Sequence, residues 1–280
     1  MQLSESDITV RKINFSVPSM EEFNPIYMLD NPTISYRFTA IGLFVALLEP
    51  AIVKAVRKVV PLITNASLKT EVEKFCHQEA HHYAQHKRFN KLILAQGYPG
   101  LDECVSELQK DFDRFLTEKP EKFMIGYIEG FESFTTQSAL EAISSGMFDH
   151  PKNSKKFSDL FKWHMVEEIE HRTVAFDLYN HLYGDYFFRA KMCWFAQKHQ
   201  ESFLSRCSEL MSQHDVATKG VGHQLDPKVV KFLKTKKLKK SLKSMLPTYS
   251  PHKYKVPPTI KALSQEYDAH KDLIPIVGRG

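Results

Sequence analysis

Residues 164–171 read His164-Met165-Val166-Glu167-Glu168-Ile169-Glu170-His171. Glu168 and His171 are three residues apart. On a helix they share a face, with Cβ atoms about 5–6 Å apart, and a carboxylate and an imidazole so placed can hold one metal ion together. His164 extends the stripe, because positions i, i+4 and i+7 stay aligned on a helix. The same Glu-x-x-His recurs upstream as Glu79-Ala80-His81-His82. One copy is common by chance and describes a solvent-facing ion pair equally well. Two copies on separate long helices describe half of a two-metal centre, whose other half is one glutamate from each of two further helices.

Working outward, the chain supplies those helices. Apolar residues recur at helical spacing over 35–59, 68–96, 102–116, 120–145, 153–184 and 185–213. Gly97, Gly146 and Gly184 supply stops, and Pro120 fits a first turn. Pro50 lacks an amide donor, so it is expected to bend or restart the first helix. Residues 214–227 read as a loop, 228–245 as a basic amphipathic helix, and 259–269 as a short helix beyond proline-punctuated chain. The expected class is all-α: a ferritin-like four-helix bundle with additional C-terminal helices. The expected organisation is an N-terminal extension (1–34), a di-metal helical bundle (35–213) and a basic extension packed on the bundle (214–280).

Composition narrows the function classes. Of 280 residues 42% are hydrophobic and 25% charged, which excludes disorder over most of the chain. The longest wholly apolar run, Ile41–Leu48, is shorter than the roughly 20 residues a bilayer requires, and no secretory signal is evident at the N-terminus. Cys76, Cys104, Cys193 and Cys207 form no CxxC pair, so free thiols in a reducing compartment are expected. The net charge of +5 comes from eight lysines in the acid-free stretch 228–243; the remainder is slightly acidic, which argues against nucleic acid as a partner. A cytoplasmic location is expected, with peripheral contact at the inner membrane face through 228–245 as an extension of it. The plainer reading of that helix is a solvated charged face.

The remaining ligands follow from helix order. Glu49 closes the apolar run Leu43–Leu48, and Glu132 sits between Phe131 and Phe134. Burying a lone carboxylate costs several kcal/mol unless it is paired or metal-bound. Glu129 lies three residues before Glu132, so either can face inward. His164 reads equally as a third nitrogen ligand or as a core histidine. His86 lies seven residues after Glu79 on the same face and reads as a ligand or as a support for one. His77 and His81 are expected at the surface, and Glu167 and Glu170 are expected to face solvent or lysines.

Four blocks carry a family resemblance. They are Glu49 followed by Val56-Arg57; Phe75-x-x-Gln78-Glu79-Ala80-x-His82-x-x-x-His86-x-x-x-Asn90; Phe131-Glu132-x-Phe134-Thr135; and His164-x-x-x-Glu168-x-x-His171. Over roughly residues 10–260 the chain resembles bacterial predicted metal-dependent hydrolases, which have a ferritin-like helical character. The resemblance favours Glu132 over Glu129 as the ligand. The last block is also similar to that of di-iron arylamine N-oxygenases, where the additional histidine binds iron.

The implied metal ligands are Glu49, Glu79, His82, Glu132, His164, Glu168 and His171, with Glu129 as a candidate catalytic base. The expected cofactor is a pair of iron ions, with manganese or zinc as alternatives, since no thiolate selects zinc. The leading expectation is O2-dependent oxidation of an apolar or amine-bearing small organic substrate. Phe44, Phe131, Phe134 and Phe176 are the candidate apolar lining, although aromatics at such spacing are ordinary bundle core. The alternatives are metal-dependent hydrolysis and a non-catalytic metal-binding bundle. No Rossmann glycine fingerprint is present, so an electron donor is expected to be a separate protein. A homodimer is the expected assembly.

Overall fold

The computed structural model describes residues 8–269; the ends of the N- and C-terminal extensions, 1–7 and 270–280, lie outside the described residues. Nine α-helices run through the described residues: α1 (Pro32–Val59), α2 (Ala66–Leu94), α3 (Leu101–Glu118), α4 (Glu121–Ser144), α5 (Lys155–Glu170), α6 (Val174–Leu182), α7 (Tyr186–Lys219), α8 (Pro227–Ser244) and α9 (Pro258–Ala269). No β-strand occurs among them. The class is all-α, as the periodicity implies.

Local chemistry starts the main helices. Asn31, Asn65, Asp185 and Asp226 cap α1, α2, α7 and α8 by accepting from Ile34, Leu68, Phe188 and Lys228 amides. Pro50 neither ends nor restarts α1, which stays helical through it. Proline forfeits one helical hydrogen bond; the packing of α1 against α2, α3 and α7 holds the helix across the gap. Pro32–Leu62 is long and apolar enough to cross a membrane, more so than its eight-residue apolar run implies. Yet 78% of that window is buried inside the protein, as befits a core helix.

Two helices differ from the sequence expectation. The segment read as one helix over 153–184 breaks at His171–Thr173 into α5 and α6. There Arg172 Nη1 donates to the Ile169 carbonyl at 2.8 Å, occupying an acceptor of the last turn. The loop expected from residue 214 begins later, because α7 continues to Lys219, where Gly220 stops it with a φ of 101°.

The α7 helix also makes the core more than four ligand-bearing helices: it packs along both α1 and α4. A Cβ built on Gly130 would lie 2.5 Å from Cys193 Cα, so glycine alone permits this approach of α4 to α7. Gly130 stands two residues before Glu132, and the contact thereby sets the depth of that carboxylate. The α8 helix turns Lys237, Ser241 and Ser244 inward against α4 and α7 and leaves Phe232, Leu238 and Leu242 exposed.

Candidate metal centre

Four segments meet at the centre of the protein. The α1 helix brings Glu49, α2 brings Glu79 and His82, α4 brings Glu132, α5 brings His164 and Glu168, and the residue capping α5 is His171. None of the seven is more than 3% exposed. His171 Nε2 lies 3.2 Å from Glu168 Oε2, 3.4 Å from Glu132 Oε2 and 3.5 Å from Glu79 Oε1. His82 Nδ1 lies 3.8 Å from Glu168 Oε1 and 3.9 Å from Glu79 Oε1. His164 Nε2 lies 2.9 Å from Glu168 Oε1 and 3.4 Å from Glu49 Oε1.

The donor atoms fit cations. Four trios have all ligand atoms within 4.8 Å of one another: Glu49–Glu79–His82, His82–His164–Glu168, Glu79–Glu168–His171 and Glu49–His86–His164. With metal–ligand bonds of about 2.0–2.2 Å, ligands on one ion stand no more than about 4.4 Å apart, so a small closure of these side chains suffices. Glu79 and Glu168 belong to trios at both ends of the cluster, the position of bridging carboxylates. Both oxygens of Glu49 and of Glu132, Glu79 Oε1, Glu168 Oε2, His82 Nδ1 and His171 Nε2 are buried without a hydrogen-bond partner. Buried polar atoms are almost always satisfied, so this set describes a cage built around something other than protein. Four carboxylates balance the charge of two divalent ions.

Electrostatics agrees. Burial pushes Glu49 and Glu79 well above the usual carboxylate range, and the charges of Glu168 and Glu132 push the same way. Glu132 is pushed up to about 8 by burial, then by Glu168. Burial alone would raise Glu168 too, but His171 and His164 hold it well below its ordinary value. Burial and the neighbouring His164 hold His82 far down, as a neutral ligand requires.

Each imidazole turns one nitrogen to the cage and anchors the other outside it. His82 Nε2 donates to Glu167 Oε2 at 3.0 Å. His171 Nδ1 donates to Gln78 Oε1 at 3.0 Å, while Gln78 Nε2 donates to Glu170 Oε2 at 2.9 Å. His164 Nδ1 is 2.7 Å from His86 Nε2. Arg11 closes this outer layer with bonds to Glu167 (2.9 Å) and to both oxygens of Glu170 (2.7 and 2.9 Å), and Trp163 Nε1 donates to Glu167. Such outer partners fix ring orientation and tautomer in metal sites.

The arrangement corrects several expectations. Glu167 and Glu170 do not face solvent or lysines; they are buried because Arg11, 156 residues from Glu167 in sequence, neutralises them. His81 is not free at the surface, since its Nε2 bonds the Ile13 carbonyl at 2.8 Å; His77 is exposed. His86 sits behind His164, though it also forms a trio of donor atoms with Glu49 and His164. Glu129 lies in a separate pair, accepting from Arg189 at 3.0 Å and from Ser133 at 2.7 Å. Phe176 packs near Tyr249 and Arg189, and Phe44 stacks on Phe131 in the core.

Sequence reasoning missed Arg11 and Gln78. A signal for Arg11 exists: Ile13, Phe15 and Val17 alternate with polar residues, and Arg11 stands in the same register. In the fold Arg11, Ile13 and Phe15 are all buried.

Residues 9–255 match the family described as predicted metal-dependent hydrolase. No curated protein and no solved structure matches the chain, so the similarity to arylamine N-oxygenases stays with the His-x-x-x-Glu-x-x-His spacing alone.

Proposed function

The chain belongs to the family of predicted metal-dependent hydrolases, and from that premise we propose that it is a hydrolytic enzyme with a two-metal centre. The observation that carries the reading is the set of orphaned, converging donor atoms on four carboxylates and two imidazoles. Glu49, Glu79, Glu132 and Glu168 would hold the ions through carboxylate oxygens, and His82, His171 and His164 would supply nitrogen. Bound there, the ions would supply Lewis-acid chemistry, lowering the pKa of a water and polarising a scissile bond. Glu167, Gln78 and His86 hold the three rings in place, each through the ring nitrogen turned away from the cage. Phe75, against His171, and Trp163, against His82, wall the cage from bulk water.

Metal analysis of the purified protein is the first test, with about two ions per chain expected. Ester and phosphate substrates are then assayed with manganese- or zinc-loaded protein, and turnover that follows metal content supports hydrolysis. A chain that binds no metal overturns the reading.

One observation favours a second chemistry. The donors are carboxylate and imidazole with no thiolate, which suits iron or manganese, and the cavity that reaches His164 is largely apolar. O2-dependent oxidation of an apolar substrate fits that combination. Anaerobic loading with ferrous iron followed by O2 separates the two readings: O2 uptake in proportion to iron pairs, with no hydrolysis under any metal, replaces the first by the second.

A further inference from the structure

A cavity of about 390 Å³ opens beside the centre, within the usual range of about 300–1,000 Å³ for small-molecule sites. Its inner end is closed by Val45, Phe131, Thr135 and His164, all buried. Val45 and His164 each lie one helical turn before a glutamate of the cage, Glu49 and Glu168, and His164 is the group of the centre that lines the cavity. The body of the cavity is hydrocarbon: Phe38, Ile41, Phe134, Met165 and Leu204.

The mouth is different. Arg37, Lys236, Lys237 and Lys240 line it, from α1 and α8. These four cations share two carboxylates. Lys236 and Lys240 both pair with Glu141, the latter at 2.7 Å. Arg37 and Lys237 both pair with Glu201, at 3.0 Å for Arg37 Nη1 and 3.3 Å for Lys237 Nζ. Burial lowers the Lys237 ammonium to about 7, so among the described residues the rim carries between one and two positive charges beyond its two carboxylates. Lys237 and Lys240 stand 5.3 and 5.8 Å from the Phe134 ring centroid, where the apolar body begins.

We propose that this cavity binds a single-chain amphiphile with an anionic head, a fatty carboxylate in chemical class. The head is held at the Arg37–Lys236–Lys237–Lys240 rim and the hydrocarbon chain runs inward to His164. The proposal is one of binding and assigns no bond to be broken; it rests on the two-metal reading only in that the inner end of the ligand reaches His164, a candidate nitrogen donor of the cage. An apolar tube with a cationic mouth excludes cationic amphiphiles by charge and short polar acids by lack of buried area.

The test is calorimetric titration of metal-free and metal-loaded full-length protein with saturated carboxylates of increasing length, with dodecanol and with dodecyltrimethylammonium. Saturable binding of dodecanoate is expected, tightening about fourfold per added methylene until the cavity is full. Dodecanol is expected to bind about tenfold more weakly and the cationic amphiphile not at all. The double variant Lys236→Ala/Lys240→Ala loses that tenfold for dodecanoate while leaving dodecanol unchanged. Ile41→Trp fills the cavity and abolishes binding without changing metal content. Should it fail to fold, Ser138→Trp closes the part-exposed mouth with the same expected result. Equal affinity for the cationic amphiphile, no saturable binding of dodecanoate, or undiminished binding after the cavity is filled overturns the proposal. Dodecanoate binding in protein that takes up no metal leaves the proposal standing and defeats the two-metal reading alone.

Discussion

Two clusters of buried acids lie one layer apart, and they are neutralised differently. In the outer one, Glu167 and Glu170 share the guanidinium of Arg11, with further bonds from Trp163 and Gln78. In the inner one, Glu49, Glu79, Glu132 and Glu168 face three imidazoles and, among the described residues, no lysine or arginine. Burial is nearly the same, with Glu167 at 0% exposure and Glu49 at 1%. The difference lies in who supplies the cation. Arg11 serves Glu167, Glu170 and the part-exposed Asp268, while the four inner acids have no such side chain among the described residues; they are arranged for a charge that arrives from outside.

The strongest way to break that comparison is to remove a bridging carboxylate. Glu168→Ala takes an oxygen from both ends of the cage and exposes two imidazoles to each other. Metal content is expected to fall from about two ions per chain to fewer than one, with loss of activity. Metal analysis beside circular dichroism checks this, and full metal occupancy in a folded variant contradicts the assignment.

Arg11→Ala strikes the outer cluster instead. It leaves Glu167 and Glu170 buried without their cation, which is expected to cost about 3–5 kcal/mol. Denaturant melts of the metal-free protein read this directly. An inner substitution, Glu132→Gln, is expected to have the opposite sign in the same experiment, because it relieves repulsion among unneutralised acids. Equal destabilisation by both would erase the distinction between the clusters.

Between the clusters stands Gln78, which accepts a hydrogen bond from His171 and donates one to Glu170. Gln78→Met keeps the length and loses both bonds. Metal affinity is expected to weaken about 10- to 100-fold with the fold retained. Competition with a chelator measures it, and unchanged affinity would detach the outer layer from the metals.

The last comparison is a dependence on pH. Burial and then Glu168 push Glu132 from 4.5 up to about 8 in the fold. Over that window the unfolded chain has lost a proton that the folded chain keeps. The contribution of Glu132 to the stability of the metal-free protein is therefore complete below the lower value and is lost as pH rises toward about 8. Bound metal replaces the proton, so the loaded protein is expected to show a flatter profile. Melting temperatures across pH, with and without metal, decide it; parallel profiles contradict it.

Much of this was legible before any coordinates. The helices carrying Glu79–His82 and Glu168–His171 follow from apolar spacing, and the i, i+3 and i, i+4 rules put those pairs on one face. Local rules end where partners come from afar. The stripe Trp163–Glu167–Glu170 lies one residue behind His164–Glu168–His171 on the same helix. Nothing in the helix itself tells which stripe faces the cage and which faces Arg11. The break after His171 was equally invisible, because no glycine or proline marks it and it depends on where Arg172 reaches.

By itself the sequence determined the helical class, the order of the segments and the residues able to ligate, since these depend on spacing along a single helix. Tertiary structure alone decided that the seven donor groups converge, that Arg11 takes the two outer acids, and that an apolar cavity with a basic mouth ends at His164. Those outcomes depend on distances between segments more than a hundred residues apart, and such distances are set only when the helices pack.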